Sequence, residues 1–336
     1  MYLTDKKVAI LGAAGAIGCT LVQDFLSTGT ANQISMYDPF AAGLEGAAEE
    51  IYHCAYPGAR VTWTTNIAEA LEGTAYIVSS GGAPRKEGMT REDLLRGNCE
   101  IAKALGEDIR KYCPDLEFGV IIFNPADITG LTVLVHAGLK PGRISTLAAL
   151  DSTRLQTRLA QHFGVWQDEV TGCKTYGGHG EKMAVFKGRL AVKGVKLTDI
   201  LAGAAVNGKG LSLEEWQAIQ NDVRNGGAKI IKLRGRSSWQ SPAHQSVEMV
   251  RGRIRNGGYE WPCGAYFGSG AYANVMMGAD VDFTPDGLVG RIPEGDAEDA
   301  AALQESYDHL CALRDQVISF GLLPPVAGWK SVNPNL

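Results

Sequence analysis

One histidine in this chain has unusual neighbours. Residues 175–183 read Thr-Tyr-Gly-Gly-His-Gly-Glu-Lys-Met, so His179 has glycines on both sides, as expected where backbone comes close to something other than protein. Asp151 comes earlier, in Leu-Asp-Ser-Thr-Arg, with Arg154 three residues further on. An imidazole titrates near neutrality, so it can take up or return a hydroxyl proton. A carboxylate bonded to the other ring nitrogen fixes the tautomer and supports the imidazolium that forms. Spacing of three puts Asp151 and Arg154 on one helical face. One could then aim at the histidine and the other at a substrate carboxylate, although the same spacing describes an ordinary surface ion pair.

Two further arginines, Arg85 and Arg91, stand in the polar segment 81–98 (GGAPRKEGMTREDLLRGN), which includes Gly88, as a closing lid would. A guanidinium matches a carboxylate bidentately, and a cation beside a carbonyl oxygen stabilises negative charge developing there. Asn124, within Phe-Asn-Pro-Ala-Asp at 123–127, offers an amide to a ligand, although Asn-Pro is equally a turn signal. The chemistry these residues suit is proton transfer at the hydroxyl of a small acid whose carboxylates are held by arginines. The other histidines fit this less well. His53, His162 and His309 fall in helical patterns, and His136 and His244 have no chemical context.

The elements that must position these residues begin with residues 7–12, an apolar run ending in glycine, as a buried parallel strand would. A helical pattern follows over 16–27, a strand ending at 35–38, a helix over 44–55 and a strand near 60–63. Next come a strand at 76–80, a helix over 92–113, a strand at 119–123 and a sixth strand ending at 147–150. Strands alternating with helices predict an α/β fold, a Rossmann-type doubly wound parallel sheet over residues 1–150. After 151 the texture changes to an α+β substrate and catalytic domain spanning 151–336. A helix over 151–163 leads to a β-like stretch at 167–173 and short strands at 183–196. Ser212 and Glu215 form a capping box at the head of a helical region running to 255, broken around 225–227 and 237–242. Antiparallel strands over 260–293 and a long helix over 296–320 complete it. No linker separates the halves, so they should pack tightly.

Gly12-Ala-Ala-Gly15-Ala-Ile17-Gly18 lies between the first strand and the first helix. Glycines there let backbone approach a pyrophosphate, and the helix N-terminus offers unpaired N–H groups and a positive dipole end. The spacing is looser than Gly-x-Gly-x-x-Gly, and such turns also serve plain helix–strand packing. Asp38 strengthens the nucleotide reading. It lies at the end of the second strand, where a carboxylate accepts both ribose hydroxyls and repels a 2′-phosphate, favouring NAD over NADP. The same residue could simply start the turn Asp38-Pro39-Phe40. Gly81 follows the fourth strand, at the carboxyl edge where ligands of such sheets bind.

Composition narrows the remaining classes. The chain has 336 residues, 45% hydrophobic and 21% charged, with net charge −5 and dispersed basic residues. That argues against nucleic-acid binding, which relies on clustered Lys and Arg. No run approaches the roughly 18 apolar residues that span a bilayer, so no membrane association is expected. Lys6-Lys7 before an apolar stretch mimics a signal peptide, but cleavage there would delete the first strand, and the secretory reading is rejected. Seven scattered cysteines without Cys-x-x-Cys suit a reducing cytoplasm and suggest neither disulfides nor a metal site.

Taken together, these motifs resemble the lactate/malate dehydrogenase superfamily over nearly the whole chain. The resemblance implies that His179 is the proton acceptor and Asp151 its partner. It implies that Arg154 grips the C1 carboxylate and that Arg91 polarises the carbonyl from the lid. Arg85 would hold a second carboxylate, at a place where the family's lactate enzymes usually carry glutamine. Asn98 and Asn124 would lie near substrate and nicotinamide, and Gly81 alongside the cofactor with Gly12, Gly15, Ile17 and Gly18. The implied reaction is reversible, NAD-dependent oxidation of (S)-malate, a dicarboxylate, to oxaloacetate. Lactate or another 2-hydroxy acid is the alternative substrate, and NAD binding without catalysis a distant third reading. A homodimer or homotetramer is also implied. The stripe Leu44, Ala47, Ala48, Ile51 and Cys54 offers an apolar face for it, which core packing would use equally well.

Overall fold

The computed structural model describes residues 1–83, 90–180 and 182–336. The first half alternates β1 (Thr4–Leu11), α1 (Ala16–Ser27), β2 (Ala31–Tyr37), α2 (Ala41–His53), β3 (Arg60–Thr64) and α3 (Ile67–Leu71). It continues with β4 (Thr74–Ser79), α4 (Arg91–Tyr112), β5 (Phe118–Ile121), α5 (Ala126–Ala137) and β6 (Ile144–Leu147). These strands lie parallel in the order β3-β2-β1-β4-β5-β6. The order reverses between β1 and β4, which opens a crevice beyond their carboxyl ends, the place where open α/β sheets bind ligands.

Central strands of this sheet are buried on both faces, which is why they read as continuous apolar runs. Alternate residues point to opposite sides. Ala9, Leu11, Ile77 and Ile121 join one core, while Val8, Ile10, Val78 and Val120 join the other. In α2, Leu44, Ala47, Ala48 and Ile51 are buried in that second core, whereas Cys54 is exposed. The apolar stripe of this helix is therefore used within the chain.

The second half opens with α6 (Ala149–Phe163) and passes through short strands β7 (Val170–Thr171), β8 (Thr175–Tyr176), β9 (Ala184–Val185), β10 (Ala191–Val192) and β11 (Val195–Lys196). Helices α7 (Leu197–Leu201), α8 (Leu213–Arg224), α9 (Gly226–Arg234) and α10 (Gln240–Arg255) follow. Then come β12 (Cys263–Phe267), β13 (Val275–Thr284), β14 (Gly287–Arg291), α11 (Ala297–Ser319) and α12 (Trp329–Val332). β12 pairs antiparallel with β6, so β12, β13 and β14 extend the first half's sheet to nine strands among the described residues. The Ser212–Glu215 capping box forms as expected. No helix among the described residues is long and apolar enough to cross a membrane.

Two sequence expectations need correction. The sixth strand ends at Leu147, and Ala149 and Leu150 already belong to α6, so Asp151 sits in a helix's first turn. The helix α5 was not foreseen. Every residue from Ala126 to Ala137 is buried, so the segment shows no polar face and carries no two-faced periodicity.

Candidate active site

Asp151, in the first turn of α6, is the hub of the site. Its Oδ2 lies 2.8 Å from His179 Nδ1 and accepts the Gly180 N–H at 3.0 Å, while Oδ1 accepts Arg154 Nη1 at 2.9 Å. The side chains of Asp151 and Arg154 are 2% and 19% exposed, so this is no solvated surface pair. The sequence reading divided the two between histidine and substrate. In the structure both meet, because one carboxylate has an oxygen for each. A carboxylate only accepts, so the hydrogen sits on Nδ1 and neutral His179 presents Nε2 as an acceptor. Asp151's charge, above all, raises the proton affinity of His179, against the opposing effect of burial. Burial works against the Asp151 carboxylate too, but the imidazolium and Arg154 outweigh it and lower its pKa.

The loop carrying His179 is fixed by four elements at once. Gly177 exchanges both backbone hydrogen bonds with Gly278 of β13, at 3.0 and 2.8 Å. The Gly178 N–H donates to Ser306 Oγ of α11 at 2.8 Å, and the His179 N–H donates to Asp127 Oδ2 of α5 at 2.8 Å. Asp151 of α6 takes Gly180. At Gly177 and Gly178 the backbone approaches protein rather than a ligand, whereas Gly180 has open space around it and a φ of +104°. A Cβ on Gly177 would lie 2.3 Å from Ser306 Oγ, and one on Gly178 3.1 Å from Leu310. Sequence reading missed Asp127, Ser306 and Gly278 as parts of the site. Only Asp127 left a trace, as the last residue of the Asn-Pro-Ala-Asp run.

The nucleotide side is built by close backbone packing. Gly12 has φ +85°, and a Cβ there would lie 2.9 Å from Gly81 Cα; a Cβ on Gly18 would lie 2.2 Å from the Gly12 carbonyl oxygen. Gly15 is the N-cap of α1, with no side-chain cap and no acidic residue in the first turn. The first N–H groups of that helix therefore stay available to an anion, with half-buried Ile17 beside them. Asp38 follows β2 and accepts the Ala14 N–H at 3.2 Å and the Phe40 N–H at 2.9 Å. It thus starts the turn and also ties the glycine loop, and a carboxylate with about four lone-pair sites retains room for ribose hydroxyls. These residues fit a dinucleotide.

Asn98 links the two halves of the site. Its Oδ1 accepts the Ala83 N–H at 2.8 Å, and its Nδ2 donates to the carbonyls of Asn124 at 2.6 Å and Ala83 at 3.3 Å. The amide is thus engaged by protein, and Asn98 acts by holding the turn after Gly81 against Asn124. Asn124 itself is exposed at the carboxyl end of β5. Arg91 is the exposed first residue of α4, behind the reciprocal Thr90–Asp93 cap. Arg85 lies outside the described residues.

An alanine at 12 would force a side chain into positive φ and against backbone that cannot move aside. Gly12→Ala is expected to weaken NADH binding at least tenfold and to destabilise the fold by about 1 kcal/mol or more. Fluorescence titration and thermal unfolding measure both, and wild-type values would remove Gly12 from the cradle.

A profile of the lactate/malate dehydrogenase NAD binding domain matches residues 6–146, and one of the family's alpha/beta C-terminal domain matches residues 148–317. The chain belongs to the lactate/malate dehydrogenase family. As a member it is an oxidoreductase, and its NAD-binding domain makes NAD the cofactor. This dehydrogenase is 33% identical to the malate dehydrogenase of Picrophilus torridus, with 85% of this chain and 88% of that protein covered. It is 31% identical to the malate dehydrogenase of Parabacteroides distasonis, covering 84% and 88%. In structure it matches malate dehydrogenase from Plasmodium falciparum with TM-score 0.85 at 26% identity, over 94% and 99% of the two chains. Lactate dehydrogenase from Cryptosporidium parvum, complexed with lactic acid and NAD, shares the fold at TM-score 0.80 and 22% identity, over 93% and 98%.

Proposed function

We propose that this dehydrogenase oxidises (S)-malate reversibly to oxaloacetate, with His179 and Asp151 as its proton relay. The observation that carries the relay is the 2.8 Å contact between His179 Nδ1 and an Asp151 carboxylate whose other oxygen is held by Arg154. Neutral His179 takes the hydroxyl proton at Nε2, and Asp151 supports the resulting imidazolium. Arg154 uses one donor on Asp151 and offers the rest of its guanidinium fork to the C1 carboxylate. Arg91 polarises the carbonyl oxygen, and Arg85 pairs with the second carboxylate. Asn124 bonds substrate or nicotinamide. Gly12, Gly15, Ile17, Gly18 and Gly81 would hold the pyrophosphate side and Asp38 the adenosine ribose, with Asn98 fixing the turn after Gly81 against Asn124. NAD, when bound, supplies the hydride acceptor for the carbinol carbon.

In this reading residues 1–150 form the NAD-binding domain and 151–336 the catalytic and substrate-binding domain. The enzyme works on a small dicarboxylate as a homodimer or homotetramer in the cytoplasm. All seven cysteines are free thiols, which suits a reducing compartment.

Arg85 decides the substrate, because a site built to pair a second carboxylate discriminates strongly against an acid lacking it. With NADH, kcat/KM for oxaloacetate should exceed that for pyruvate by roughly a thousandfold or more. Arg85→Gln should narrow the gap, and NADPH should serve poorly because of Asp38. Comparable turnover of pyruvate would make this a lactate-type enzyme. NADH binding with neither oxoacid reduced would leave a nucleotide-binding protein.

A further inference from the structure

A second carboxylate, that of Asp127, bonds the main chain of His179. Asp127 lies in the first turn of α5 and is buried. Its Oδ2 accepts the main-chain N–H of His179 at 2.8 Å, and its Oδ1 accepts the hydroxyl of Thr146, on β6, at 3.3 Å. A hydroxyl and one N–H are few donors for a buried carboxylate, which needs partners to remain ionised away from water. A plain structural acceptor for one backbone N–H needs no charge, since an amide or hydroxyl oxygen would do.

We propose that Asp127 is a positioning residue of the proton relay: it fixes the His179 loop through the main chain, and its charge, with that of Asp151, sets the proton affinity of the imidazole. The proposal rests on His179 being the relay histidine. Among the described residues the charged groups acting on the ring are Asp151 and Asp127, which favour the imidazolium, and Arg154, which opposes it. Asp127 itself is pushed up to about 6, chiefly by burial, with the His179 N–H and ring and the Thr146 hydroxyl pulling the other way. It is therefore ionised at neutral pH and loses its charge as the pH falls through about 6. Across that range the two groups titrate as a linked set.

The test is Asp127→Asn. The amide oxygen can still accept the His179 N–H while its NH2 donates to Thr146 Oγ, so shape is kept and only charge is lost. NMR titration of the His179 ring, in protein labelled at histidine, should show its midpoint shifted down relative to wild type. The alkaline limb of oxaloacetate reduction should move with it, cutting the rate roughly tenfold at its upper end. NADH affinity should stay unchanged. Thr146→Val, which withdraws one donor from Asp127, should move the midpoint the same way by less, and it carries the test if the Asn variant does not fold. An unmoved ring midpoint in a folded variant that binds NADH overturns the proposal while leaving the relay intact. Wild-type activity of a His179→Asn enzyme would instead remove the relay itself.

Discussion

Replacing His179 by asparagine should reduce turnover in both directions by roughly 10²- to 10⁴-fold, the contribution of a placed acid–base group. The amide can still occupy the space and donate to Asp151, so the loop held by Gly278, Ser306 and Asp127 should survive. NADH binding, which depends on the glycine loop and Asp38, should not change. The pH profile is the sharper readout. Malate oxidation needs the neutral ring, so in the wild type it should rise with pH through a midpoint above the ordinary imidazole value, displaced mainly by the Asp151 charge. Reduction needs the imidazolium and should fall through the same midpoint. In the variant both limbs should vanish. The same linkage governs stability. The raised histidine stabilises the fold fully below its unfolded value, about 6.5, and that contribution is lost as pH rises through the folded one. Steady-state rates across pH 5 to about 10 suffice; a variant keeping wild-type rate and profile would end the assignment.

Asp151→Asn is expected to lower kcat/KM by roughly 10³- to 10⁴-fold although the atoms hardly change. An amide NH2 facing His179 Nδ1 makes that nitrogen the acceptor, which puts the ring hydrogen on Nε2 where an acceptor is required. The contact with Arg154 also loses its charge, freeing a guanidinium whose position depended on it. The Gly180 N–H, now opposite the NH2 group, would lose its acceptor, costing about 1–3 kcal/mol of stability. Kinetics with oxaloacetate and thermal unfolding separate the two effects. A kcat/KM within tenfold of wild type would refute the tautomer argument.

These expectations draw unequally on sequence and fold. Strand and helix positions around β1, β2, β4 and β5 were legible because buried parallel strands are continuous apolar runs punctuated by glycine. His179 stood out by its glycines, and Asp38 by its place at the end of the second strand. The signal failed where burial is uniform. α5 has no polar face, so the helix that delivers Asp127 left no periodic trace. The last strand of the parallel set was read three residues too long because Ala148, Ala149 and Leu150 are as apolar as the strand before them.

Local order along the chain was enough to reveal the residue types able to do this chemistry, the nucleotide fingerprint and the alternation that builds a doubly wound sheet, since these depend on neighbours within a few positions. It took the packed fold to bring Asp151 to His179 and Arg154 at once, to set Gly177 and Gly178 against Ser306 and Leu310, and to tie the loop's main chain to Asp127. Such pairings join residues tens to more than a hundred positions apart, from Asp151 and His179 to Gly178 and Ser306. Their partners are chosen by how helices pack on a sheet, a choice that no local pattern in the chain records.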